Sequence, residues 1–241
     1  MNKSSRLSHS FGFSEVEQRE REEKIRAVFE TVAPRYDRMN DMMSFGIHRL
    51  WKRTLVHFVN PQPGEQIVDL AGGTGDIAEK IAAKGCQVIV IDPSEAMMAE
   101  GVRRKLVGVE FRIGSGEAIP LPDQSVDRLT LSFGMRNMTD MGEALSEIYR
   151  VLKPGGTFYC LEFSKPAWWI KPFYDFHSFY IIPRLGAWVA RAPVAYNYLV
   201  ESIRRFPDQQ EMKALVENAG FSNVEYRNLS FGIACIHMGE K

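Results

Sequence analysis

An α/β domain, built on a seven-stranded, mostly parallel sheet with one antiparallel strand, is predicted from three features of the sequence. Short apolar runs at 66–70, 87–91, 109–113, 126–132 and 157–163 alternate with helical segments at 75–84, 94–105 and 140–152. That alternation is the pattern of parallel strands covered by helices on both faces. The first run ends in a glycine turn, IVDLAGGTGD. Two last strands, near 223–229 and 231–238, are joined too closely for a crossover helix, so one of them runs antiparallel. A chain of 241 residues is long enough to bury the core of one such domain.

Before the sheet, residues 15–33 read as a polar helix that turns apolar at IRAVFETVA and is interrupted by Pro34. A methionine- and aromatic-rich stretch follows. A second helix over 47–59 then stops at the turn cluster NPQPGE. Residues 1–60 are expected to form a helical segment covering the site, and 61–241 the main domain. The alternation pauses over 164–200, a helical cap insertion, and resumes with a helix near 208–219. Ten aromatic residues fall between Trp168 and Tyr198. They fill a small core of the cap's own, present an apolar face through Trp168 and Trp169, or do both.

Thirty acids balance thirty bases, so the global positive excess that drives nucleic-acid binding is missing and no nucleic-acid partner is expected. Cys86, Cys160 and Cys235 are widely spaced, with no CxxC pair. They are expected as buried free thiols, not as disulfides or zinc ligands. No His/Asp/Glu cluster suggests a metal. The N-terminus lacks an apolar signal core, and no run is apolar enough to span a bilayer, which places the chain in the cytoplasm.

Asp69 closes the first strand, and Gly72, Gly73 and Gly75 turn the chain into the next helix. Glycine permits positive φ and lets a ligand approach the backbone without a Cβ in the way. Parsed as Gly73-x-Gly75-x-x-Ala78 the stretch matches a dinucleotide fingerprint, a weak signal alone. Parsed as Asp69-x-Ala71-x-Gly73-x-Gly75 it is an acid-headed turn. Asp92 ends the second strand, where a carboxylate can accept both ribose hydroxyls of an adenosine. Its competing reading is an acid at the N-terminus of the helix in PSEAMM. Asp69 favours S-adenosylmethionine (SAM) over NAD, because a carboxylate suits an ammonium group and repels a pyrophosphate.

The segment YRVLKPGGTFYCLEF, a helix end, a Lys-Pro-Gly-Gly turn and a strand, resembles the class I SAM-dependent methyltransferases, which have a Rossmann-like fold. In their pattern the loop GSGEAIPLPDQSVD lies against the adenine at Ser115 and Gly116. Asp127 then opens the fourth strand, as a ligand or as a turn cap. Five further blocks narrow the resemblance: YDRMNDMMSFGIHRLWKR, DLAGGTGD, SFGMRNMTD, VLKPGGTFYCLEFSKP and YLVESIRRFPDQ. Together they resemble the ubiquinone/menaquinone biosynthesis C-methyltransferases over nearly the whole chain.

That resemblance implies SAM as cofactor, bound at Thr74, Asp92, Ser115, Gly116 and Ser132. It implies methyl transfer to a ring carbon of a polyprenylated hydroquinone, of the benzoquinol or naphthoquinol type. Ala71 departs from the glycine that many methyltransferases have in the turn, and Ser115-Gly116 from the familiar Asn-Ala pair. Arg136 and Asn137, just past the fourth strand, are the expected catalytic residues, with Arg136 stabilising a phenolate. Tyr36 is expected to cover the site from the N-terminal segment. The competing readings are an Arg136–Asp140 contact and simple packing of Tyr36. His48 and His177 are either structural or bases acting through water. Trp168, Trp169, Lys171, Arg184 and Arg191 suggest salt-sensitive peripheral membrane contact. Two alternatives stand beside this reading: another phenol or sterol acceptor, and a SAM-binding accessory subunit of a quinone-biosynthesis complex.

Overall fold

The computed structural model describes residues 10–33, 40–41, 44–181 and 193–241. Tyr36, Arg184 and Arg191 lie outside them. The chain opens with a small antiparallel hairpin, β1 (Ser10–Phe11) and β2 (Ser14–Glu15), which the alternation of apolar runs does not reveal. Two helices follow, α1 (Gln18–Val32) and α2 (Ile47–Val59).

The main domain then runs β3 (Gln66–Leu70), α3 (Asp76–Ala82), β4 (Gln87–Asp92), α4 (Glu95–Arg103), β5 (Val109–Ile113), β6 (Val126–Ser132), α5 (Met141–Val151) and β7 (Leu152–Phe163). The strand β7 starts before the expected residue 157, because Leu152 still pairs with Val126 across a register shift. The cap contributes α6 (Lys171–Phe176), a wider turn at His177–Ile181 and α7 (Pro193–Arg205). After it come α8 (Gln209–Asn218), β8 (Ser222–Leu229) and β9 (Ala234–Glu240).

The sheet order is β5-β4-β3-β6-β7-β9-β8. All pairings are parallel except those of β9, which runs antiparallel to both β7 and β8. Strand parity sorts the core onto two faces. Val68, Leu70, Ile89 and Ile91 pack with Leu145 and Ile148 of α5 and Met212 of α8 on one face. Ile67, Val88 and Val90 pack with Trp51, Leu55 and Val59 of α2 and Ile77 and Ile81 of α3 on the other. The four-residue spacing of Trp51, Leu55 and Val59 is a helix stripe, and full burial of each such side chain contributes about 1.5–3 kcal/mol.

The connection from β3 departs towards β4 and that from β6 towards β7, on opposite sides. A crevice opens at such a switch point, beyond the carboxyl ends of the strands. The three cysteines are buried and free.

Candidate active site

Each edge of the crevice begins with a local conformation. After β3 the turn needs left-handed backbone at Gly73 (φ 56°) and Gly75 (φ 80°). A Cβ on Gly73 would stand 2.7 Å from the Met97 Cε, the movable end of a side chain, so it is the left-handed φ that favours glycine there. Asp92 Oδ2 accepts the Gly73 N–H at 3.0 Å, and its Oδ1 accepts the Ser94 N–H at 2.8 Å. Burial pushes this carboxyl up to about 6.

A cavity of about 350 Å³ fills the crevice. The turn after β3 gives it Gly72, Gly73 and Thr74, and the end of β4 gives Asp92. Ser115 and Gly116 enter from the loop after β5, Ser132 from β6 and Asn137 from the turn beyond. Eight of the expected residues are thus gathered in one place from four strand ends. Ile25 and Phe29 of α1 add apolar surface to the same cavity.

Other expected residues stand elsewhere. Asp69 is not in the lining: it is fully buried behind the turn, with Oδ1 accepting the Thr130 hydroxyl at 2.9 Å. A Cβ on Gly72 would meet Asp69 Oδ2 at 2.7 Å, so the turn lies directly on this carboxylate. Burial pushes Asp69 up to about 7. The turn therefore stands between this carboxylate and the cavity. Gly75 also lies behind the cavity, where a Cβ would meet Leu106 and Phe111 at 3.1 Å.

Arg136 is likewise outside the lining. Its Nη1 donates to Glu162 Oε1 at 2.8 Å and to the Phe133 carbonyl at 2.5 Å. The guanidinium is thus held in a buried ion pair, and the structure does not bring it into the cavity. The Asp140 contact does not form either, because Asp140 caps α5 through the Gly142 and Glu143 N–H groups. Asp127 accepts the Gln66 N–H at 2.9 Å and Lys153 Nζ at 2.7 Å, a structural role at the start of β6. His48 Nδ1 lies 2.8 Å from Ser44 Oγ and His177 sits against Phe45; neither lines the cavity.

The sequence pattern does not point to three further residues at or beside the cavity. Lys52 of α2 and Asp76 of α3 both line the cavity and pair at 2.8 Å. Arg21 of α1, 1% exposed, donates to the carbonyls of Ser10, Arg136 and Asn137. It fastens the covering helix to the turn after β6.

Charge decides between the two cofactor readings. Five acids, Glu22, Asp76, Asp92, Glu117 and Glu143, line the cavity against two bases, Arg26 and Lys52. Such a site repels a pyrophosphate and suits a sulphonium cation. The Asp92 oxygens each keep acceptor capacity for a ribose hydroxyl. The Lys52–Asp76 pair offers both signs to the zwitterionic amino-acid end of SAM. The residues present therefore fit this cofactor. Among the described residues no group of three or more His, Cys, Asp or Glu could hold a metal ion.

Comparison with known proteins agrees. The model of the ubiE/COQ5 methyltransferase family matches residues 17–241. The chain belongs to that family. It is 59% identical, over its whole length and 96% of the relative, to the ubiquinone/menaquinone biosynthesis C-methyltransferase UbiE of Rubrivivax gelatinosus. Identity to the UbiE of Acidiphilium cryptum is 49% over 95% of each chain. A SAM-dependent methyltransferase of Thermotoga maritima superposes with a TM-score of 0.63 at 21% identity, over 89% of this chain and 99% of that one; at that identity the likeness shows the fold. This ubiE/COQ5 member is a SAM-dependent methyltransferase of class I architecture.

Proposed function

We propose that this methyltransferase C-methylates the ring of a polyprenylated hydroquinone in ubiquinone or menaquinone biosynthesis. The observation that carries the reading is the acid-rich cavity at the switch point, with Asn137 in its lining. The names of the full-length relatives supply the acceptor class.

SAM supplies an electrophilic methyl group, and the electron pair of the broken C–S bond stays on sulphur. The acceptor carbon must be made nucleophilic. Ionising a phenol of pKa about 10 at pH 7 costs about 4 kcal/mol, and a fixed donor aimed at the oxyanion reduces that cost. Asn137, whose side chain is an amide in the lining, is assigned this contact. Arg136 and Glu162 hold the turn that carries it. Asp92 orients the cofactor through the ribose. Ile25 and Phe29, on a helix fastened by Arg21, exclude water from the reacting groups. Tyr36 is assigned to the same cover, as part of the segment 1–60.

The membrane surface belongs to this reading. A polyprenyl tail keeps the acceptor in a bilayer, and among the described residues no helix is long and apolar enough to cross one. Trp168 is 85% and Phe173 76% exposed, so the start of the cap shows aromatics to solvent, while Tyr198 near its end is buried. We assign the cap over 164–200 as a lid that meets the membrane, where a quinone-biosynthesis complex would also assemble.

The test is incubation with methyl-labelled SAM and each prenylated quinol, followed by location of the label. Label on a ring carbon is expected. Label on oxygen, or only on a phenol or sterol without a prenylated quinol ring, overturns the reading.

A further inference from the structure

The turn after β6 is held from three directions. Arg21 Nη2 donates to the Arg136 carbonyl at 3.2 Å and Nη1 to that of Asn137 at 3.3 Å. Glu162 takes the Arg136 guanidinium from β7. From α7, the helix that closes the cap, the Tyr198 hydroxyl donates to Asn137 Oδ1 at 2.9 Å. Tyr198 is buried, and its ring stacks on Phe11 at 4.5 Å with an interplanar angle of 12°. Burial also pushes its hydroxyl above the ordinary phenol range, so it remains a protonated donor at neutral pH.

Arg21 holds backbone, and Glu162 holds Arg136 by its guanidinium and by its N–H at 3.3 Å, whereas Tyr198 fixes a side chain in the cavity lining. A primary amide has an acceptor end and a donor end. With Oδ1 committed to Tyr198, a half-turn of the amide would leave the buried hydroxyl proton facing N–H₂ and without an acceptor. The donor end is more lightly engaged. Nδ2 is 3.5 Å from the Phe133 carbonyl, the outer limit of a hydrogen bond, so it retains capacity for a better acceptor.

We propose that Tyr198 is a positioning residue which, by holding Asn137 Oδ1, makes the cavity present an N–H donor to the oxyanion of a phenolic acceptor. The inference rests on the reading above that the acceptor is a phenol. The opposite amide orientation would put a carbonyl oxygen there, which repels a phenolate and accepts from a neutral phenol. The Tyr198–Asn137 pair thus selects the ionised form of the acceptor, and it links the helix that closes the cap to the reacting ring.

Tyr198→Phe keeps the ring and its stack on Phe11 and removes only the donor. The probe is a geranylated 4-nitrophenol, whose phenolate absorbs visibly, titrated on the full chain without turnover. The wild type is expected to ionise it at lower pH than in free solution. On Tyr198→Phe the midpoint should lie about one pH unit higher than on wild type, tenfold less phenolate at fixed pH. Asn137→Ala should give a similar midpoint and the double variant no further change, with SAM affinity kept within about twofold. A wild-type midpoint on a folded Tyr198→Phe, or additive changes in the double variant, overturns the inference. Should Tyr198→Phe not fold, Asn137→Asp, which offers only acceptors, must raise the midpoint by more than one pH unit; an unchanged midpoint overturns the inference equally. A wild type that does not bind the probe removes the phenol reading itself, and the inference with it.

Discussion

Asp92 accepts the backbone N–H of Gly73 at 3.0 Å, so the carboxylate that closes β4 is braced by the glycine turn that closes β3. The acid therefore has one orientation before a ligand arrives. Its ionised form is the one that accepts ribose hydroxyls, and burial holds its pKa near 6. Affinity for SAM should consequently be level above pH 7 and fall as pH drops through 6, by about tenfold at pH 5. Calorimetry from pH 5 to 8 checks this. In Asp92→Asn the slope should vanish, and Asp92→Ala should lose about 1.5–3 kcal/mol of affinity at pH 7.5. Wild-type affinity in Asp92→Ala would remove Asp92 from the cofactor contacts, whereas a flat wild-type profile beside a weakened Asp92→Ala would show a carboxyl that ionises below pH 5.

Ala71 and Gly134 form a second coupled pair across the switch point. Ala71 stands at φ 51°, in a region that favours glycine. A Cβ on Gly134 would come within 2.6 Å of its methyl group. The glycine missing from position 71 is thus matched by one at 134, at an ordinary φ. Gly134→Ala should cost about 1–3 kcal/mol by overpacking. Ala71→Gly should stabilise by about 1 kcal/mol, and in that background Gly134→Ala should become nearly neutral. Denaturant midpoints of the four proteins test the cycle. Strict additivity would show that the two residues do not meet.

The strands of this fold were legible in the sequence because buried β-branched runs are bounded by Gly, Pro and charged turns; β3, β5 and β6 fall where the pattern puts them. The site was legible where it depends on strand ends, as with Asp92, Ser132 and the loop of Ser115. It was not legible where long-range polar contacts decide. Arg21 is the one fully buried side chain among the described residues of α1, which inverts the apolar stripe that periodicity seeks. Its partners come from the hairpin and the turn after β6, over a hundred residues away in the latter case. Two placements carry a signal in the sequence. Asp69 shares the parity of Ile67, whose face packs against α2 and α3, so its side chain belongs behind the turn. Glu162 is an acid inside the apolar strand run FYCLEF, and a buried carboxylate requires a cationic or multiply donating partner.

That partner is Arg136, and the pair is tested by removing one member. Arg136 and Glu162 are both nearly inaccessible to solvent, and loss of the guanidinium leaves a buried carboxylate. Arg136→Ala should destabilise by about 3–5 kcal/mol, with much of the loss recovered in Arg136→Ala/Glu162→Gln. If Arg136→Ala unfolds at the wild-type denaturant midpoint while turnover collapses, the guanidinium acts on the acceptor and the structural assignment is wrong.

The exposed aromatics of the cap lead to the remaining expectation. Trp168, Phe173 and Phe176 stand out from the start of the cap and α6. On the adjoining turn, His177 contacts Phe45, itself 72% exposed. Exposed apolar surface gathered in one region is what the membrane-facing lid proposed above requires. Of the bases expected to meet anionic headgroups, Lys171 is paired with Asp175 at 2.7 Å, and Arg184 and Arg191 lie outside the described residues. Binding should therefore be driven by area more than by charge. Association with neutral vesicles should persist at high salt, and anionic lipid should add only a few-fold at low salt. Trp168→Ser/Phe173→Ser removes the two most exposed rings of this face and should weaken vesicle partitioning by about tenfold or more, since burying an aromatic of this size contributes about 1.5–3 kcal/mol. Neither residue touches the cavity, so SAM affinity should not change. Activity on a long-tailed quinol presented in vesicles should fall with partitioning, while activity on a short-tailed quinol in solution should not. A double variant that melts early or precipitates would return these rings to the core. One that folds, binds vesicles as the wild type does and keeps its activity on the long-tailed quinol would rule this face out as the membrane contact.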